Sequence, residues 1–346
     1  MLADPPAGLR RFAVGCAVVL AVVVAVLHPT ASAWGAPVPR LPSQQLFVVS
    51  DPAIDEASGM VASRLHPGVV YLVNDSGNEP VVYAVGPDGG TLATLRLRYV
   101  TNVDWEAMAP GVDEQGRPTL LIGDIGDNGA KRSGLSVYEI REPQVLQDDD
   151  VAWRRIQLRY PDGAHDAETL MRAPSGQLFV VTKEALGAGT YAVPSDAVPG
   201  GTYTMQRVGG APMFVTDGAI SPDGSMTVLR TYRDLVVVDG PGGAEVARYR
   251  LPFEPQGESV AFTADGNALL VASEGARQPV FQVDLPTVST TPSASPSAAG
   301  PNGSTGSDAA STRSGQALAL GVAAAVVVGV VLGVVVALRR RRGKGQ

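Results

Sequence analysis

One cysteine, three histidines and 5% aromatic residues in a chain of 346 leave several chemistries without material. Cys16 falls in a segment expected to be removed, so disulfides, thiolate catalysis and Cys-ligated zinc are excluded from the mature protein. No G-x-S-x-G elbow is present, which argues against serine-hydrolase chemistry of that type. Positive charge is scarce too. Between residues 34 and 317, 20 basic residues face 33 acidic ones, a balance of −13, and no basic patch interrupts it. Such a surface repels polyanions, so no nucleic acid is expected as a partner. Between residues 44 and 286 no long run has helical periodicity, which points to an all-β body.

The ends carry an address. Arg10 and Arg11 precede an apolar run over Phe12–Leu27 and then Ala31-Ser32-Ala33, the order of a secretory signal peptide over 1–33. An uncleaved anchor is the alternative reading. Leu318–Leu338 is uncharged and, at 1.5 Å per residue, about 32 Å long, enough for one transmembrane helix. Arg339–Arg342 follow it, so the tail 339–346 is expected in the cytoplasm and the body outside, a single-pass cell-membrane protein. Gly329 and Gly333 form a GxxxG that could support a weak homodimer. Residues 287–316, rich in Ser, Thr, Pro, Ala and Gly, read as a disordered tether, and 34–44 as a short extension.

The body over 45–286 repeats itself. Ser58–Ser63, Glu106–Pro110, Glu168–Arg172, Asp217–Ser221 and Glu258–Phe262 align as first strands, each followed by a turn and a more apolar second strand. Two further strand-like runs follow each of the first four hairpins, which makes a propeller blade of four strands. The fifth unit is one strand short, and Gln45–Val49 belongs to no unit. The expectation is a five-bladed β-propeller closed by the N-terminal strand, with six blades as the alternative if the 62-residue interval between the second and third units hides another.

Asn74-Asp75-Ser76-Gly77, Asp104-Trp105-Glu106, Gly123-Asp124-Ile125-Gly126-Asp127-Asn128 and His165-Asp166-Ala167-Glu168 together resemble a group of secreted actinobacterial propeller proteins. More distantly the chain is similar to phytase-like, lactonase-like and YVTN-type propellers. The lactonase-like and phytase-like resemblance implies calcium at the channel mouth, and Glu106, Glu168, Asp217 and Glu258 are the positions that would correspond.

Hairpin geometry by itself brings strand starts and second-strand ends to one edge. It gathers those four acids with Asp75, Asp124, Lys183, Arg230 and Glu274 on one face. Crowded carboxylates repel unless a cation or donors neutralise them, and oxygen-only ligands favour Ca²⁺. The same acids could instead accept hydrogen bonds from amides of the adjacent blade. His165, on this face, is a candidate general base, and Lys183 and Arg230 are candidate anion ligands. Two functions stay open: a cell-surface binding module for an extracellular ligand or protein, or a calcium-dependent lactonase or phosphoesterase.

Overall fold

The computed structural model describes residues 37–286; the expected signal peptide, tether, membrane helix and tail lie outside them. Among the described residues no helix is long and apolar enough to cross a membrane. Strand β1 (Ser43–Val48) comes first, followed by β2 (Ala57–Ala62), β3 (Val70–Asn74), β4 (Val81–Val85) and β5 (Thr91–Arg96) of the first blade. The second contains β6 (Trp105–Val112), β7 (Pro118–Asp124) and β8 (Leu135–Arg141), then, after the two-residue β9 (Asp149–Asp150), β10 (Trp153–Arg159). In the third lie β11 (Ala167–Arg172), β12 (Leu178–Thr182) and β13 (Gly189–Ala192), with β14 (Thr202–Thr204) preceding its outer strand β15 (Gln206–Gly210). The fourth blade has β16 (Val215–Ile220), β17 (Thr227–Thr231), β18 (Asp234–Val238) and β19 (Glu245–Arg250). The fifth has β20 (Gly257–Phe262), β21 (Ala268–Ser273) and β22 (Pro279–Asp284).

Strand β1 supplies the fifth blade's outer edge, antiparallel to β22 from Ser43 opposite Val283 to Val48 opposite Pro279. Every inner strand packs against two others in a closed circuit: β2 on β6 and β20, β11 on β6 and β16, and β16 on β20. The ring has five blades. The 62-residue interval holds a long loop and the β9 segment, not a sixth blade.

Strand alternation holds this ring together. Leu120 and Ile122 on β7 enter the core shared with the first blade, while Leu121 between them enters the core shared with the third. Successive side chains point to opposite faces, so a middle strand that is apolar on both faces belongs between two neighbours. Five such cores, one at each blade junction, hold most of the buried apolar residues.

Thr202–Val208 reads as one strand in the sequence but breaks at Met205. That side chain is buried in the core between blades two and three, and its N–H donates to Arg159 O at 2.9 Å. Strand β14 consequently joins the second blade, parallel to β10, before β15 takes its place beside β13.

Candidate metal centre at the channel mouth

Each inner strand opens with a β-bulge. The ladder passes over Ser58 in β2, Glu106 in β6, Glu168 in β11, Thr216 in β16 and Glu258 in β20. A bulged residue leaves the pairing and its side chain is re-aimed. The glutamates of this set sense one another's charge: Glu168 raises both Glu106 and Glu258, from three different blades.

In the fourth blade the residue outside the ladder is Thr216, so the alignment that placed Asp217 beside Glu106, Glu168 and Glu258 is displaced by one. A slip of one residue turns a side chain to the other face. Asp217 lies opposite Arg230, fully buried, and its two oxygens accept from Gly218 N at 2.7 Å and from Val260 N of the fifth blade at 2.8 Å. Burial holds its carboxyl well above the usual range. Asp217 ties blade four to blade five and is removed from the candidate ligands.

A different trio converges. One carboxylate oxygen each from Asp75, Asp104 and Glu106 lies within 4.8 Å of the others. Asp75 leaves the end of β3, where its N–H donates to Glu56 O at 2.9 Å. Asn102 fixes the two blades in register: its amide donates to Asn74 O and Asp75 O, and its Oδ1 accepts from Trp105 N at 3.0 Å. Gly126 leaves the cradle open, because a Cβ there would stand 2.6 Å from Asp104 Oδ2 and 2.7 Å from Glu106 Oε1.

Burial, then the charges of Glu168, Asp75 and Asp104, pushes Glu106 well above the normal carboxyl range, while Lys183 opposes the rise. Burial and Asp75 carry Asp104 up to about 6. The spacing admits a hard divalent ion, since two oxygens bound to one Ca²⁺ at roughly 2.4 Å can stand no more than about 4.8 Å apart. The trio is all oxygen, as such an ion prefers.

Two carboxyls flank the trio. Glu168 receives Lys183 Nζ at 2.6 Å, yet burial still lifts it to about 7. Glu258 is lifted to about 8 by burial and by Glu168; its Oε1 accepts from Gln256 Nε2 at 3.0 Å, and its buried Oε2 has no partner. Gln256 also donates to Glu274, whose carboxyl burial and Asp75 raise.

Other expected site residues stand elsewhere. Arg230 is fully buried, donating to Ser259 O and ion-paired with Glu254, so it cannot reach an anion at the mouth. Asp124 accepts from Arg132 at 2.7 Å and from Asp104 N at 3.2 Å, and Asp127 caps the following turn through Lys131 N and Arg132 N. That loop is a capped turn. His165 bonds Glu184 at 2.7 Å and Asp162 at 3.2 Å, with Tyr160 and Tyr191 packed edge-on or tilted against its ring. Those contacts engage both ring nitrogens, so His165 is committed to Glu184 and Asp162.

Sequence reasoning missed the apolar rim on this face. Leu186 and Phe253 are 86% and 79% exposed, in loops leaving β12 and entering β20, and Met213, Phe214 and Tyr232 flank β16 and β17. Phe214 adopts φ 56°, a region bulky residues seldom occupy. Tyr232 lies under Lys183, 5.4 Å from ring centroid to Nζ.

No protein-family model matches the chain, and no curated protein matches it. Among solved structures, a gluconolactonase of Xanthomonas campestris is similar at 14% identity and a TM-score of 0.41, over 72% of this chain and 96% of that one. Regucalcin of Agrobacterium tumefaciens, described as a calcium-binding protein, is similar at 13% identity and a TM-score of 0.40, over 72% and 97%.

Proposed function

We propose that the chain is a membrane-tethered, surface-displayed propeller whose channel mouth binds Ca²⁺ and serves as a cation-dependent binding module for an extracellular ligand. The observation that carries the cation is the trio Asp75, Asp104 and Glu106, drawn from two blades, with Gly126 leaving room among the oxygens. Bound there, the ion would neutralise the charge that burial makes costly and offer a Lewis-acidic point to an anionic or carbonyl oxygen. Asp75, Asp104 and Glu106 would hold it. Lys183 keeps Glu168 occupied beside them, and the rim of Leu186, Phe214 and Phe253 supplies apolar contact area around the polar centre.

The test is thermal melting of the full chain in Ca²⁺ and in chelator, with Glu106→Gln as comparison. A Ca²⁺-dependent rise in Tm that Glu106→Gln abolishes is the expected result, and a chelator-insensitive melt contradicts the proposal. Placement outside the membrane is tested separately, by protease shaving of intact cells and N-terminal sequencing of the mature chain, expected to begin at Trp34.

One observation favours a second reading, a calcium-dependent hydrolase. Glu258 carries a free buried oxygen and titrates near neutrality, at about 8, as a proton carrier for lactone or phosphate-ester cleavage should. Turnover of a lactone and phosphate-ester panel that vanishes in Glu258→Gln while Ca²⁺ binding persists would establish it.

A further inference from the structure

Past the mouth the channel changes character. The inner strands enclose a narrow cavity of about 60 Å³ lined by Met60, Met108, Leu170, Ile220 and Phe262. Arg64, two residues beyond β2, and Arg172, the last residue of β11, line the same cavity. Both sit at the hairpin-turn end, opposite the bulges that carry the acidic groups. The channel is acidic at one end and cationic at the other.

Each guanidinium feels one carboxylate at a distance, Glu142 for Arg64 and Glu139 for Arg172, without contact. Among the described residues neither forms an ion pair; Arg64 Nη1 donates only to Gly111 O, at 3.2 Å. The nearest carboxylates are committed elsewhere. Glu142 Oε1 accepts from Ser63 Oγ at 2.5 Å and from the amides of Arg64 and Leu65, and Glu139 is paired with Arg154 at 2.7 Å. Burial lowers the proton affinity of both arginines and outweighs the opposing charges of Glu142 on Arg64 and Glu139 on Arg172, while the charge of Arg64 lowers that of Arg172 further. Half-buried like charges facing one cavity cost free energy unless an anion joins them. Guanidinium forks match a carboxylate in shape and charge, and the lining beyond them, apart from Ser221 and Thr263, offers mainly apolar surface to the rest of the molecule.

We propose that this end of the channel binds a small amphipathic carboxylate, its head between Arg64 and Arg172 and its unbranched apolar chain in the cavity. This site is independent of Ca²⁺ at the opposite mouth. The test is calorimetric titration of the full chain in nanodiscs with hexanoate, corrected against empty nanodiscs, with acetate, inorganic phosphate and hexylammonium as comparators. Expected are saturable hexanoate binding, at least about tenfold tighter than acetate or phosphate, none for hexylammonium, and at least about tenfold loss in Arg64→Gln and in Arg172→Gln. Ile220→Trp, which fills the cavity and leaves both arginines, is expected to abolish binding as well. Absence of hexanoate binding at millimolar concentration, equal binding of phosphate or hexylammonium, or unchanged affinity in any of the three folded variants overturns the proposal.

Discussion

Asp217 and Glu106 begin adjacent positions of the same repeat and serve opposite ends. The ladder holds Asp217 in register, so its oxygens satisfy two amides across a blade junction; a bulge ejects Glu106, so its oxygens face Asp75 and Asp104. Asp217→Ala leaves two buried N–H groups unpaired and is expected to cost about 2 to 5 kcal/mol in chemical denaturation, with Ca²⁺ affinity unchanged. Gly126→Ala reverses that pattern. The new methyl group would meet Asp104 and Glu106 inside 3 Å, so calorimetry should show Ca²⁺ affinity at least about tenfold weaker, roughly 1.4 kcal/mol, with little change in apo stability. The sequence made the acidic character of this mouth legible, and of the four acids expected to hold a cation only Glu106 belongs to the converging trio. It could not show which oxygens meet, because a bulge shifts side-chain parity by one without any residue signature; Asp217 was misplaced and Thr216 overlooked for that reason.

Strand β1 closes the ring without a covalent link, so its packing carries the closure. Its register shifts between Gln45 and Phe47, leaving Leu46 turned outward at 41% exposure while Phe47 enters the core between the fifth and first blades. Phe47→Ala is expected to destabilise the protein by about 3 to 5 kcal/mol and Leu46→Ala by no more than about 0.5 kcal/mol. Equal effects in denaturant titration would mean that β1 does not seal the circuit. Most strands were readable from alternation and turn residues: the runs expected from Glu106, Glu168, Asp217 and Glu258 coincide with β6, β11, β16 and β20 to within two residues at either end. The run at Thr202–Val208 was not. A polar-apolar alternation is the same whether a strand pairs with its own blade or with the previous one, and only the burial of Met205 splits it.

Across the whole molecule, the mouth acts as a store of unfavourable charge. Asp104, Glu168 and Glu258 titrate at about 6, 7 and 8 in the folded protein, each above its ordinary value, because burial and like charges disfavour ionisation. The folded state therefore binds more protons than the unfolded state between about pH 4 and pH 8, and stability falls as pH rises through that window. In chelator, Tm should decline from pH 5 to pH 8; in saturating Ca²⁺ the decline should be largely removed. A Tm that rises over this range without cation would contradict the sign.

The arrangement of Asp75, Asp104, Glu106 and Gly126 is tested most directly by anomalous diffraction from crystals grown in Ca²⁺. The account predicts a peak at the channel mouth with an oxygen of each of the three carboxylates at about 2.3 to 2.6 Å. A mouth without a peak, its carboxylates bonded to one another or to water, would contradict it.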